Sequence, residues 1–558
     1  MNNSRAPFYN EAHSMLRILA CTTMILAGAA TAGAQTFPLP DYFRGIFSRT
    51  DRAPQAAAPE SLRDFVSEGK LRLSLADTVK LTLANNTEVR INQLQYEGSK
   101  FGVDRAYQGF DPVFTSSFNT RRSTTPTTDQ LAGAATLSTL GQTTALGYQQ
   151  RFFTGTQTNI NFTGTRNTTN SIFSNFNPSL SAGLDFNVSQ PLLRNRGILP
   201  QKAPLIIARR NLQQSRHTFL ATVQDSVSQA VNRYWDVVEA RDNLKVLRKS
   251  LELAEETYRL DKRKLELGAL PPLDIYRSES TVANRRVQVI QAEYRLKQLE
   301  DELRRVIGAD LDNFVRALDL ELVEQAEPVG DLMQMDIQQA VETALKQRPE
   351  LEALRLQLAN DMTSVDVAHN GLQPDLNLTG FYSSSGRGGN RIDTSVSPPV
   401  ILSRGGLGDA FDQLGSWDFP AYGFSLSLRL PIKNRVAEAD LGNALIAQKR
   451  TLYTQRQREQ SVTLEARNAV HQLEQAKLSM AAARFALDVA RKNLEAEQRK
   501  YELGAQTIFF VLDAQTQLSQ AEQELLRAQV GYQRAITAVD RATGQLLDRH
   551  KIQIKETK

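Results

Sequence analysis

At 558 residues, with 41% hydrophobic and 23% charged side chains, the chain is long and apolar enough to fold into several domains. Its 66 basic and 61 acidic residues leave a formal charge of +5, and the two signs are interleaved along the sequence rather than gathered in one stripe, which argues against nucleic acid as a partner. The only cysteine is Cys21, so neither a disulfide framework nor a thiol pair can be built.

In chain order, Arg17, the apolar run Ile18 to Ala30 and the small residues Ala32-Gly33-Ala34 read as a secretory signal peptide over 1–34, with Met15 as an alternative start. Leu19-Ala20-Cys21 offers a lipoprotein anchor instead, but the apolar stretch lies after the cysteine rather than before it. Beyond this segment no window approaches the roughly 18 apolar residues of a membrane-crossing helix. If the mature chain meets a bilayer, strands must cross it. Residues 35–70 have no counterpart elsewhere in the sequence and read as a flexible leader.

The rest of the chain is a tandem duplication. The offset of 236 between Gly268 and Gly504 also relates Leu251 to Leu487, Ala254 to Ala490, Ala292 to Ala528 and Gly308 to Gly544. Upstream, Val79, Leu83, Glu88 and Pro112 match Val341, Leu345, Glu350 and Pro374 at 262, and Gly183 and Pro191 match Gly423 and Pro431 at 240. The copies run over 71–308 and 337–545, with an irregular linker at 309–336 and a tail at 546–558. Each begins with a helix of about 34 residues, 75–108 and 337–370, continues into strands, and then enters a helix of about 70 residues, which at 1.5 Å per residue spans on the order of 100 Å. A glycine break and a further helix of about 36 residues close each copy.

The strands alternate with period two: Leu180, Ala182, Leu184, Phe186 and Val188 share one face, and Tyr422, Phe424, Leu426, Leu428 and Leu430 do so in the second copy. About two strands of 9 to 11 residues per copy are expected, with a possible extra hairpin at 145–165 and loops at 123–142, 166–179 and 384–417. The second long helix carries the heptad seam Leu473, Ala476, Met480, Ala483, Leu487, Ala490, Leu494, Glu497 and Tyr501. The seam alone would suit a soluble coiled coil. The exported strands decide otherwise, because with the helices committed to the seam nothing covers their apolar face except lipid. Four strands cannot close a barrel, so protomers must associate, and about eight strands fill their own interior whereas about twelve leave room for a passage.

The duplicated plan, the pair VxLxxANNTEV (79–89) and VETALKQRPEL (341–351), the strand endings QPLLRNRG (190–197) and LPIKNR (430–435), and the break YELGAQTIFFVLDAQ (501–515) resemble the TolC-like outer-membrane efflux proteins. The resemblance implies a mostly α fold with transmembrane β: a homotrimer whose twelve-stranded barrel sits in the outer membrane and continues as a helical tunnel of about 100 Å into the periplasm. It also implies docking on a periplasmic adaptor and an inner-membrane pump. The matching hairpin-tip positions are Leu267, Gly268, Ala269 and Leu503, Gly504, Ala505, with the glycines permitting the turn through positive φ.

Just inside the tips, the resemblance implies a constriction at Asp274, Tyr501, Gln506, Phe510 and Asp513. Gln506 and Phe510 stand where a basic link and a first acidic residue are expected, which points to a Phe510 ring above an Asp513 ring rather than a salt-bridged lock. Asp274 and Asp513 would equally serve as carboxylates at helix starts. If they line a pore, three-fold carboxylate rings favour cations.

His13, His217, His369, His471 and His550 have no metal-ligand spacing, and GGLGD at 405–409 lacks the strand-to-helix setting of a phosphate loop. No nucleophile or base constellation points to an enzyme, and no cofactor is implied. The expected function is a passive exit duct of a tripartite efflux or type I secretion system. The alternative, a periplasmic coiled-coil adaptor or spacer, calls for one hairpin between small β-domains, whereas here two hairpins each come after amphipathic strands.

Overall fold

A computed structural model describes residues 62–552 except 68, 128–135, 268–270, 272, 310–312, 329 and 397–399. These belong to one unit spanning 56–558. The signal peptide, most of the leader, and Gly268 and Ala269 lie outside the described residues.

The end of the leader holds a 3₁₀ turn (Leu62–Phe65) and β1 (Val66–Ser67), β2 (Lys70–Leu73) crosses into the first copy, and α1 (Leu75–Asn85) and α2 (Thr87–Ala106) come next. Strands β3 (Val113–Pro126), β4 (Thr136–Arg151), β5 (Gln157–Thr169) and β6 (Phe176–Pro191) lead into α3 (Ile198–Glu266) and α4 (Ile275–Val306). The linker holds α5 (Asn313–Arg316) and β7 (Asp319–Leu322). The second copy contains α6 (Ile337–Gln347), α7 (Pro349–Gly371), β8 (Asp375–Asp393), β9 (Val400–Ser403), α8 (Leu407–Ser416), β10 (Pro420–Arg429), α9 (Arg435–Glu502) and α10 (Ile508–Thr543), and α11 (Leu546–Arg549) comes last among the described elements.

Two expected single helices are each broken. Residues 75–108 divide at Asn86 and 337–370 at Arg348, both with nearly the same extended backbone (φ −63°, ψ 123° and φ −67°, ψ 121°). Asn86 Oδ1 accepts the Glu88 and Val89 amides at 2.9 and 3.3 Å and so caps α2. Arg348 precedes Pro349, whose ring disfavours a helical residue before it. The Arg348 guanidinium is buried between Glu350 and Glu465, so the break also pins α7 to α9.

Among the described residues, the end of the leader and part of the linker take up regular structure. β1, β2 and β7 form a three-stranded sheet in which β2 and β7 run parallel, Lys70 opposite Asp319 through Leu73 opposite Leu322. Leu62, Leu71, Leu73, Val227, Tyr234, Leu303, Ile307, Val315 and Leu546 bury together in the largest core among the described residues, a belt built from the end of the leader, β2, the linker, the middle of α3, the end of α4 and the region after the second hairpin. Glu324 of the linker accepts the Leu75 amide at 2.9 Å, and the buried Tyr234 hydroxyl donates to the same carboxylate, closing the belt onto the start of α1.

The other strands form one antiparallel sheet in the order β10-β8-β6-β5-β4-β3, with β9 beside β8. The first copy therefore contributes four strands instead of two, the possible hairpin is real as β4–β5, and these six strands run 10 to 19 residues. The described residues of 123–142 are nearly all strand, 166–179 supply the ends of β5 and β6, and 384–417 holds the rest of β8 together with β9 and α8. The hairpin is hard to see in sequence because Thr, Asn and Gly occupy most of its polar face and dilute the apolar alternation. α8 lies against β8, where a Cβ at Gly386 or Gly388 would run into the Ala410 or Gly406 carbonyl, and Phe411 stacks on Phe162 of β5 at 5.9 Å.

Candidate functional site at the hairpin tips

The seam read from the sequence is the packed edge of α9. Leu473, Met480, Ala483 and Leu494 are buried. Near the tip Leu494 packs with Ile508, Val511, Leu512 and Ala514 of α10. At its end α9 turns through a Schellman motif: the Ala505 amide reaches the Lys500 carbonyl at 2.9 Å and the Gly504 amide reaches the Tyr501 carbonyl at 3.1 Å. Gly504 has φ +74° with open space where a Cβ would sit, so backbone conformation and not packing requires glycine.

The tips present apolar side chains to solvent. Leu267 is 78% exposed, Leu273 79% and Leu503 84%, with Gly504 and Ala505 exposed beside Leu503. Just inside, one polar cluster ties the first copy's hairpin to the second. Asp261 of α3 is fully buried and accepts the Tyr501 hydroxyl at 2.7 Å and the Ser278 hydroxyl of α4. The Lys264 ammonium lies 3.8 Å from the centre of the Tyr501 ring. Burial, then the hydrogen bond to Asp261, then the charges of Asp261 and Asp274 push the Tyr501 phenol upward, so it stays a proton donor at any physiological pH. Farther from the tip, Gln515 donates to Thr257 at 3.0 Å and Arg285 to Thr516 at 2.8 Å, both across the same junction.

The candidate constriction residues divide into two groups. Tyr501 belongs to the buried cluster, and Asp274 is half-buried at the N-cap of α4 with no capping bond from its side chain. Phe510 and Asp513 lie about one turn apart on the exposed side of α10, and Asp513 accepts a bond from Gln517 at 2.7 Å. Phe509 packs edge-on against Phe510 with centroids 5.4 Å apart and carries the Arg277 guanidinium 5.6 Å over its ring. An open groove of about 460 Å³ between α4 and α10 is lined by Tyr276, Arg277, Ser280, Phe509, Leu512 and Asp513 among others. Gln506 is half-buried, and its Oε1 finds no partner among the described residues.

Sequence reasoning missed Asp261 and Ser278. The signal was present: Glu497 is an acid on an otherwise apolar seam, and the offset of 236 carries it onto Asp261. A second, outward row was also missed. Val287, Ile290 and Tyr294 of α4 and Leu478, Phe485 and Val489 of α9 repeat at heptad-like spacing, and all are exposed, uncovered by the described residues.

Among the described residues no helix is long and apolar enough to cross a membrane, and no group of His, Cys, Asp or Glu is placed to hold a metal ion. The model of the outer membrane efflux protein family matches residues 154–309 and 340–545, one segment in each copy. The chain is 22% identical over 380 residues to the outer membrane protein TolC of Vibrio cholerae, covering 66% of this chain and 77% of that protein. It is 23% identical over 327 residues to the pyoverdine export outer membrane protein OpmQ of Pseudomonas aeruginosa, covering 58% and 62%. The crystal structure of the Campylobacter jejuni CmeC outer membrane channel aligns with a TM-score of 0.59 at 17% identity, over 92% of this chain and 94% of that one. Long duplicated helices, an amphipathic sheet and a match in both copies lead to one conclusion: this chain belongs to the outer membrane efflux proteins, trimeric outer-membrane channels with a helical part in the periplasm, and is not an enzyme.

Proposed function

We propose that the chain is the exit duct of a tripartite efflux pump or type I secretion system, taking cargo at a periplasmic mouth and conducting it passively to the exterior. The exposed leucines at the tips carry this reading. A periplasmic coil end made of Leu267, Leu273 and Leu503 has an apolar surface with no cover among the described residues, suited to the apolar end of a periplasmic adaptor, which would in turn hold an inner-membrane transporter. Gly504 and Ala505, exposed beside Leu503, add little bulk there. The energy for transport comes from the transporter.

In this reading the Tyr501–Asp261–Ser278 cluster holds the first copy's hairpin against the second and sets the resting width of the mouth. Asp274, Gln506, Phe510 and Asp513 line the approach to it. The name of the relative OpmQ refers to pyoverdine export, which makes pyoverdine the first cargo to try.

The test is Leu503→Asp combined with Leu267→Asp in the full chain. Both side chains are largely exposed, so the trimer should assemble and remain in the outer membrane after a high-salt wash, while export and co-purification of the adaptor are lost. Retained export with an intact adaptor complex would overturn the docking surface.

A further inference from the structure

The duplication assigns strands to one another. Pro112 and Pro374 precede β3 and β8, and Gly183 and Gly423 lie in β6 and β10, so β3 corresponds to β8 and β6 to β10. In the second copy the corresponding strands are direct neighbours, Tyr422 opposite Tyr382. In the first copy they are not. The hairpin β4–β5 stands between β3 and β6, paired on both sides, with β3–β4 in register from Val113 opposite Gln149 to Pro126 opposite Thr136.

Register shows whether the inserted hairpin shares the membrane-facing surface. One row of directly opposed residues crosses the whole sheet: Phe114, Tyr148, Ile160, Phe186, Tyr382 and Tyr422. The next row, on the other face, reads Thr115, Gly147, Asn161, Asp185, Ser383 and Ala421. The aromatic and aliphatic row is unbroken through β4 and β5, as is the small, polar row behind it. A hairpin folded over the mouth or lying outside the bilayer would have no reason to keep both. A strand with lipid on one side and water on the other must keep both.

We propose that all six strands, β4–β5 included, enter the outer-membrane barrel, so that three copies close a ring of eighteen strands with an open aqueous lumen. This rests on the outer-membrane duct reading. The insertion leaves β3 and β10 as the sheet's free edges, and an unpaired edge cannot persist in hydrocarbon, so β10 of one copy pairs with β3 of the next. Barrel diameter grows roughly linearly with strand number, so eighteen strands in place of twelve widen the lumen about 1.5-fold, into the range where barrels hold a water-filled channel. The outer barrel then does not sieve cargo, and selection by size falls to the helical mouth.

Single-cysteine variants of the full chain in a Cys21→Ser background, labelled with bimane and reconstituted as trimers in vesicles with brominated acyl chains, test this. Labels at Tyr148→Cys and Ile160→Cys should lose most of their emission to brominated lipid and little to iodide. Labels at Thr143→Cys and Asn161→Cys should do the opposite. Iodide quenching without lipid quenching at 148 and 160 would overturn the proposal. Phe186→Cys, on a strand present in both copies, is the control: if it too escapes lipid quenching, the membrane-duct reading has failed, not the strand count. A strand count on images of the unmodified trimer is independent of labelling, with eighteen expected and twelve overturning the proposal.

Discussion

In the first copy, the 69 residues of α3 run from the sheet to the hairpin tip, and in the second the 68 residues of α9 do. In the same two copies, the strand regions hold four long strands and two. The helices differ by one residue, and between the strand ends Pro191 and Pro431 and the tips at Gly268 and Gly504 the offset falls from 240 to 236, four residues or about one turn, a step that keeps each seam facing its neighbours. One added residue would rotate the seam by about 100° and advance it by about 1.5 Å, turning Leu473 or Leu494 out of its packing and leaving one tip longer than the other. A sheet tolerates insertion differently. A hairpin placed between β3 and β6 pairs on both sides and leaves the register of every other strand unchanged. Divergence has accumulated where the architecture absorbs it in whole units.

The copies also solve the same local problem with different chemistry, which makes the comparison breakable. The backbone break after the first short helix is capped by Asn86 in one copy and held by the buried Arg348 in the other. Burial alone would raise the Glu350 carboxyl, but its hydrogen bond to and the charge of Arg348 hold it below the usual carboxylate range. Arg348→Ala strands that charge and should cost about 3–5 kcal/mol. Asn86→Ala loses one cap and should cost about 1 kcal/mol. Heat unfolding of the trimers reads both, and equal losses would show that the breaks are energetically equivalent.

The second contrast lies at the far end of the hairpins, where the offset of 236 matches buried Asp540 of α10 with Arg304 of α4. Burial pushes the Asp540 carboxyl up to about 6, against the opposing pull of Arg549. A carboxyl raised in the folded state binds its proton more tightly there than in the unfolded chain. Its contribution is therefore complete below about pH 4 and is lost as the pH rises through about 6, on the order of 3 kcal/mol at most. Trimer melting should weaken over that window, and Asp540→Asn should flatten that part of the profile. An identical slope in the variant would remove Asp540 as its source.

The smallest effect on trimer melting belongs to the tip. Tyr501 of the second copy corresponds to Leu265 of the first, so only one of the two matching positions donates to Asp261. Tyr501→Phe leaves the buried carboxylate with Ser278 alone and should cost about 1–3 kcal/mol. That loss is local to the hairpin, so single-channel conductance should rise while trimer melting barely moves. Unchanged conductance would show that this link does not set the width of the mouth.

Much of the fold and part of the tip site are legible in the residues alone. The seam from Leu473 to Tyr501, the turn at Gly504 and the two-copy plan come from periodicities within one helix or from self-similarity, and neither depends on distant partners. The breaks at Asn86 and Arg348 carry local signals, an Asn two residues before Glu88 and an Arg before Pro349, that a smooth 34-residue pattern hides. Asp261 needs the repeat offset applied to an acid on the seam. β2 and the linker's β7 cannot be read, because each is four residues long and the two pair with each other across some 250 residues of chain.

By itself the sequence determined the long helices of the two hairpins, their approximate lengths and their apolar edges, because helical hydrogen bonds close within four residues and the side-chain pattern records which edge packs. Only the tertiary structure decided which strands are neighbours, that β4–β5 joins the sheet, and that leader and linker share one belt. A strand satisfies its backbone only through a partner elsewhere in the chain, and alternation along one strand does not name that partner.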